Sequence, residues 1–165
     1  MNKFIAVIAV LLLMISGCEM MKSSHTPARI AGVFWQPDLA STPPKGNWQL
    51  LGADIFIPQW SKVDGQSWLK ELDSPHWEKT LPLAELKKKP WAKQIILGLA
   101  GEYNETQARK NIEQHHQDAL KIIAQKLPVN GYYFPIEADP SWTNVYQLGM
   151  VLQQCLPLAL EKNID

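Results

Sequence analysis

The chain has 165 residues, with 16 Lys+Arg against 16 Asp+Glu for a formal net charge of zero, and 46% of its residues are hydrophobic. A balanced charge gives no reason to expect nucleic acid or an acidic surface as partner. The length suffices for one domain with a real core.

The first segment in chain order is a targeting signal. Lys3 gives a short positive start, Phe4 to Met14 form an unbroken apolar run, and Ile15-Ser16-Gly17-Cys18 closes it. A spanning helix needs roughly 20 apolar residues, so this layout reads as a secretory signal peptide over residues 1–17. Residues 15–18 resemble the lipobox of bacterial lipoproteins. That resemblance implies cleavage before Cys18, which would carry a thioether-linked diacylglycerol and an amide-linked acyl chain. Several chains at about 0.8 kcal/mol per buried CH₂ would hold the protein on the membrane. The alternative is an ordinary cleaved signal with an incidental cysteine. Glu19, where aspartate would signal inner-membrane retention, favours the outer membrane, facing the periplasm. Lys3 leaves with the signal, so the remaining 148 residues carry 15 Lys+Arg against 16 Asp+Glu. Acylation would consume the Cys18 sulfur. Cys155 then stands alone in the pattern Leu148, Leu152, Cys155, Leu156, Ala159, and reads as a buried helix thiol. Residues 18–29 are polar and patternless, a tether ahead of a domain over 30–165.

Four short apolar segments follow: Ile30–Trp35, Asp54–Trp60, Gln94–Gly101 and Val129–Glu137. Each is rich in β-branched, aromatic or aliphatic residues, bounded by Gly, Pro or Asp, and nearly continuous in hydrophobicity. Strands buried on both faces read this way, and such strands belong to parallel sheets.

The connections suit crossover helices. Asn104 to Lys126 is the clearest, with Asn104 as cap, Gln107 as capping-box partner, and one apolar stripe of Ala108, Ile112, Ala119, Ile122, Ile123 and Leu127. His115 and His116 lie within it. Neighbours on a helix point about 100° apart, so the two cannot share a metal; one is expected in solvent and one beside the stripe. Thr143 to Lys162 is a further helix, expected to kink or end early at Pro157. Residues 65–91 read as a less regular helical region, with Lys87-Lys88-Lys89 on a solvated surface. Between the first two strands there is room only for one or two turns, centred on Trp48 to Leu51.

Alternating strands and helices predict an α/β fold of four parallel βα units with right-handed crossovers. It closes either as a doubly wound open sheet or as part of a TIM barrel. No GxGxxG or GxxxxGK string follows any strand, so nucleotide-binding versions are disfavoured and no cofactor is expected.

Both closures place ligands beyond the carboxyl ends of the strands. The residues falling there are Trp35, Gln36 and Asp38; Gln59 and Trp60; Glu102 and Tyr103; Glu137, Asp139 and Trp142. Polar groups with aromatic walls are what a carbohydrate cleft requires: hydrogen bonds for hydroxyls and stacking for ring faces. The chain holds seven tryptophans, and core packing can claim some of them.

Phe34-Trp-Gln-Pro37, Ile57-Pro-Gln-Trp60, Leu97-Gly-Leu99 and Gly131-Tyr-Tyr-Phe-Pro-Ile-Glu-Ala-Asp139 resemble the first four strand ends of a bacterial TIM-barrel family of unassigned function. That family is distantly similar to retaining glycoside hydrolases. The likeness spans about residues 30–160 and implies half of a TIM-barrel-like domain, with Glu137 as general acid/base. Those enzymes usually place Asn before this glutamate, whereas here it is Ile136. Read from its neighbours, a carboxyl among Tyr133, Pro135 and Trp142 would be partly desolvated, which suits an acid. A structural role, capping a helix or pairing with a lysine, is the competing reading. Asp139, ahead of Pro140, reads more readily as a turn or cap residue, and Glu102 either binds sugar or precedes the Asn104 cap.

A TIM barrel has eight units and about 250 residues, and a retaining glycosidase needs two carboxyls about 5 Å apart. Only four units are present, and the resemblance puts the second carboxyl on a seventh strand. Two functions are therefore carried forward. The first is an envelope lipoprotein with a glycoside-hydrolase-like domain that processes carbohydrate when complemented by a second copy or another chain. The second is a non-catalytic lipoprotein, either saccharide-binding or a degenerate structural remnant.

Overall fold

The computed structural model describes residues 29–138, 141–143 and 145–160, with side chains as far as Gln154. The signal peptide, Cys18, most of the tether, Asp139 and the Cys155 side chain lie outside the described residues. The fold is mixed α/β, built on two four-stranded sheets whose strands are mostly parallel. Among the described residues there is no closed barrel, and no helix is long and apolar enough to cross a membrane.

The first sheet contains the four expected strands. They are β1 (Gly32–Trp35), β2 (Ile55–Pro58), β6 (Gln94–Gly98) and β8 (Gly131–Tyr133), in spatial order β1-β2-β6-β8 and all parallel. Side chains alternate across the sheet. Trp35, Phe56, Ile95 and Leu97 enter the main core. Trp35 lies against Phe56 at 5.7 Å and edge-on to Trp68 at 5.1 Å. Trp48 and Trp91 complete this aromatic cluster, 4.6 Å apart. The other face carries Phe34, Ile57, Ile96 and Tyr133, none of them fully buried. Phe34 on β1 meets Tyr133 on β8 at 6.1 Å. Flat, these two edge strands would stand about 14 Å apart, so the sheet curls toward this second face.

The stretch after β2 corrects the sequence reading. Residues 65–91 were expected to be helical; instead β3 (Lys62–Val63) and β4 (Gln66–Leu69) form an antiparallel hairpin, and β5 (His76–Leu81) pairs with β4. Asp64 and Gly65 have φ of 48° and 80°, the two positive values of a tight hairpin turn, and an Asp-Gly pair favours that turn. Trp68, Leu69, Leu72 and Trp77 are all buried from this region. Alternation hides half of a strand's residues, so no helical stripe was available to read. Helix α1 (Leu83–Lys87) is all that remains of the expected helical region. β7 (Ala100–Gly101) continues the line of β6 and joins this second sheet beside β3.

Trp48–Leu51 forms a short 3₁₀ helix between β1 and β2, where one or two turns were expected. The long helix comes in two pieces, α2 (Glu105–Lys110) and α3 (Ile112–Ala124), divided at Asn111. Hydrogen bonds from the Asn111 N–H to Gln107 and from the His115 N–H to the Asn111 carbonyl run through the division, so it is a kink rather than a break. Helix α4 (Tyr146–Leu160) runs past Pro157, so of the kink or early end expected there the early end does not occur.

Candidate functional site

Backbone bonds bind the carboxyl ends of the four parallel strands into one rim. The Gln59 N–H donates to the Trp35 carbonyl at 2.8 Å, Ser61 to Gly98 at 2.7 Å, and Leu99 to Tyr133 at 2.8 Å. Gly98 permits the middle contact. A Cβ there would stand 2.0 Å from the Gln59 carbonyl oxygen, so β6 could not approach β2 this closely with any side chain.

Above this rim opens a cleft of about 430 Å³. β1 contributes Phe34 and Gln36, and the turn after β2 contributes Gln59 and Trp60. Glu102 and Tyr103 follow β7, Glu105 and Ala108 come from α2, and Pro135, Ile136 and Glu137 follow β8. Of the residues expected at a site, Gln36, Gln59, Trp60, Glu102 and Glu137 come together here.

Trp60 is 3% exposed and meets Tyr103 edge-on at 5.2 Å. The Trp68 indole N–H holds the Trp60 carbonyl at 2.7 Å, fixing this residue from the core side. The Tyr103 hydroxyl donates to the Pro37 carbonyl at 2.6 Å, tying the end of β7 to the end of β1. Partial burial, then the nearby Asp38 and Asp64 charges, push the Tyr103 phenol above its usual range. Burial, then the Glu137 charge, does the same to Tyr133.

Glu102 is the best-supported carboxylate. Its Oε1 accepts from Asn111 Nδ2 at 2.7 Å and faces His115 Nε2 at 3.4 Å. The sequence expected one solvated histidine, but both His115 and His116 are buried, at 5% and 2% exposure. α3 is covered on more than its apolar stripe, because the second sheet lies over it as well: Lys62 on β3 reaches Asp118 at 2.9 Å. Burial, ahead of the opposing effects of Glu102 and Asp118, lowers the affinity of His115 for a proton.

Two expected members, Trp35 and Trp142, are placed otherwise. Trp35 is 8% exposed, and its indole lies in the core on the opposite face of the sheet, so it offers no face to a ligand. Trp142 lies beyond α2, under the Arg109 guanidinium at 5.5 Å, in a second recess with Thr106, Arg109 and Lys110. On α2, Glu105 and Ala108 turn to the cleft while Thr106 and Arg109 turn to that recess, as three-residue spacing requires. Asp139 lies outside the described residues. Glu137 itself is exposed at the edge of the cleft.

Tyr103, expected at the strand ends, also lines the cleft, while Phe34 and Glu105 are cleft residues that sequence reasoning passed over. Phe34 and Trp35 are adjacent on one strand, so only one can face the ligand, and the core took the larger ring. Glu105 had a signal of its own, three residues before Ala108 in the apolar stripe. Among the described residues no group of three or more His, Cys, Asp and Glu side chains is arranged to hold a metal ion.

No protein-family model matches this chain, and comparison with curated proteins and with solved structures yields no match either.

Proposed function

We propose that this chain is a lipid-anchored protein of the bacterial cell envelope, on the outer membrane facing the periplasm, whose domain is one half of a TIM-barrel-like fold with a saccharide cleft at its rim. The observation that carries the reading is the meeting of Gln36, Gln59, Glu102 and Glu137 with the exposed rings of Tyr103 and Phe34, over the buried Trp60, in one 430 Å³ cleft at the carboxyl ends of parallel strands. Amide and carboxylate groups suit sugar hydroxyls, and ring faces suit the C–H side of a pyranose. Glu137 is the proposed proton donor, and Cys18 the lipidated residue.

Catalysis would require completion. β1 and β8 are open sheet edges, and unpaired edges invite strand addition. A second copy, related by a two-fold axis along the strands, would set β8 of each copy beside β1 of the other. Eight strands is the number at which side chains fill a barrel interior. Exposed apolar side chains flank both seams: Ile30, Leu50 and Leu51 by β1, and Tyr146, Met150 and Leu152 on α4 after β8. Such a copy would also cover Glu137, giving its carboxyl the desolvation an acid donor needs.

The test is cleavage of envelope polysaccharides by the full chain, with its mass in solution measured alongside. Dimer-dependent cleavage lost in Glu137→Gln is expected, and cleavage unchanged in that variant rules out the acid role. A monomer that binds oligosaccharide without cleaving it supports the non-catalytic alternative. Incorporation of labelled palmitate, lost in Cys18→Ser, checks the anchor.

A further inference from the structure

The charges around the cleft are one-sided. Its lining contains Glu102, Glu105 and Glu137, and no Lys or Arg. The cation touching the rim is Arg109, which reaches Glu105 at 3.5 Å and donates from Nε to the Glu137 backbone carbonyl at 3.2 Å. Among the described residues lining or touching the cleft, three carboxylates therefore stand with one guanidinium. Amino-acid composition does not show this, because the chain as a whole is neutral.

Glu102 differs from the other two. Its partners are the Asn111 amide and the His115 ring. The charged groups acting on His115 are Glu102, Asp118, Lys62 and Asp64, and Lys62 is already engaged by Asp118. Burial lowers the affinity of His115 for a proton, which weakens it as a counter-charge to Glu102. The His115 Nε2, on a side chain 6% exposed, has no hydrogen-bond partner and is aimed at the Glu102 carboxylate from behind the cleft. A carboxylate with so weak a counter-charge, in a recess walled by aromatic rings, is a receptor for positive charge. The exposed rings of Tyr103 (44%) and Phe34 (55%) add faces that attract a cation.

We propose that the saccharide this cleft takes is a cationic amino sugar, with a free ammonium seated between Glu102 and the Tyr103 ring, in preference to its N-acetylated or neutral counterpart. This rests on the saccharide reading above. N-acetylation removes the positive charge and adds an apolar methyl where a carboxylate waits. A sugar acid would face three like charges, which a specific site avoids.

Three oligosaccharides of one linkage and length separate the two levels of the claim: the β-1,4 tetramers of glucosamine, N-acetylglucosamine and glucose. Each is titrated calorimetrically into the full chain at low salt and again in 1 M NaCl, at a pH where glucosamine is protonated. The glucosamine tetramer is expected to bind at least about tenfold tighter than the other two, a ratio corresponding to one charge-assisted contact. In 1 M salt, where the Debye length is about 3 Å, that ratio should shrink severalfold. Glu102→Gln keeps the size of the side chain and should erase most of the preference, and Glu105→Gln should reduce it less. Equal binding of all three tetramers would overturn the cationic specificity while leaving the saccharide reading intact. Binding of none would overturn both. A preference unchanged in Glu102→Gln but lost in Glu105→Gln would refute the seat assigned to the ammonium.

Discussion

Gly98→Ala tests whether the rim is as tightly built as its hydrogen bonds indicate. The new Cβ would lie 2.0 Å from the Gln59 oxygen and 2.4 Å from the Pro58 oxygen, both backbone atoms. An ordinary contact needs more than 3 Å, so β2 and β6 must part by about 1 Å where they meet. Overpacking of this kind costs about 1–3 kcal/mol. Parting also strains the 2.7 Å bond from Ser61 to Gly98, and with the Ser61 N–H keeping the Leu99 carbonyl at 3.1 Å as its second acceptor, losing that bond costs a further ~1 kcal/mol. A total near ~3 kcal/mol is a large share of the ~5–15 kcal/mol that holds a domain folded, and would lower Tm by roughly 10–15 °C. Urea and thermal unfolding followed by tryptophan fluorescence measure it, since Trp35 and Trp68 are in contact in the core. Gly131→Ala is the control: a Cβ there meets nothing within 4 Å, and stability should stay within about 1 kcal/mol. If Gly98→Ala is as mild as Gly131→Ala, the reasoning that ties the four strand ends into a rigid rim fails.

Trp68→Phe removes the indole bond to the Trp60 carbonyl and part of a fully buried ring, so a loss of about 2–4 kcal/mol is expected in urea titration, with weaker ligand binding as Trp60 loosens. Burial lowers the His115 pKa, so between that value and the unfolded value near 6.5 the unfolded chain binds more protons. Stability should therefore fall as pH drops below about 6.5, and the slope should flatten in His115→Gln; an identical slope would show that another group titrates. Asn104→Ala deletes the cap on α2, whose Oδ1 accepts from the Gln107 N–H at 3.1 Å. It should cost about 1 kcal/mol by thermal unfolding.

The parallel sheet was legible because its strands are buried on both faces and therefore spell continuous apolar runs bounded by turn residues. The short turn at Trp48–Leu51 follows from the length of the first connection, whereas the order β1-β2-β6-β8 comes from the structure. The second sheet was not legible as periodicity. β3 has two residues and β7 two, too short for any pattern, and the helical reading of 65–91 took no account of the Asp64-Gly65 pair. At the cleft, strand-end position was enough to bring out Gln36, Gln59, Trp60, Glu102 and Glu137. It could not say which of two adjacent aromatics faces the ligand. Trp35 and Phe34 were decided by what lay on the far side of the sheet, where Trp68 arrives from a hairpin the sequence reading lacked. Trp142 was lost for a related reason: its distance from the strand end let it pass beyond α2. The pairing of Glu102 with Asn111 and His115 depends on the kink between α2 and α3, which leaves no mark on the apolar stripe.

The most direct measurement is an amide-resolved NMR titration of the full chain with the glucosamine tetramer. Saturable shifts at Gln36, Gln59, Glu102, Tyr103 and Glu137, with Trp35 and Trp142 still, are the predicted result. Shifts confined to the Arg109–Trp142 recess, or none at millimolar sugar, would contradict a saccharide cleft at the strand ends.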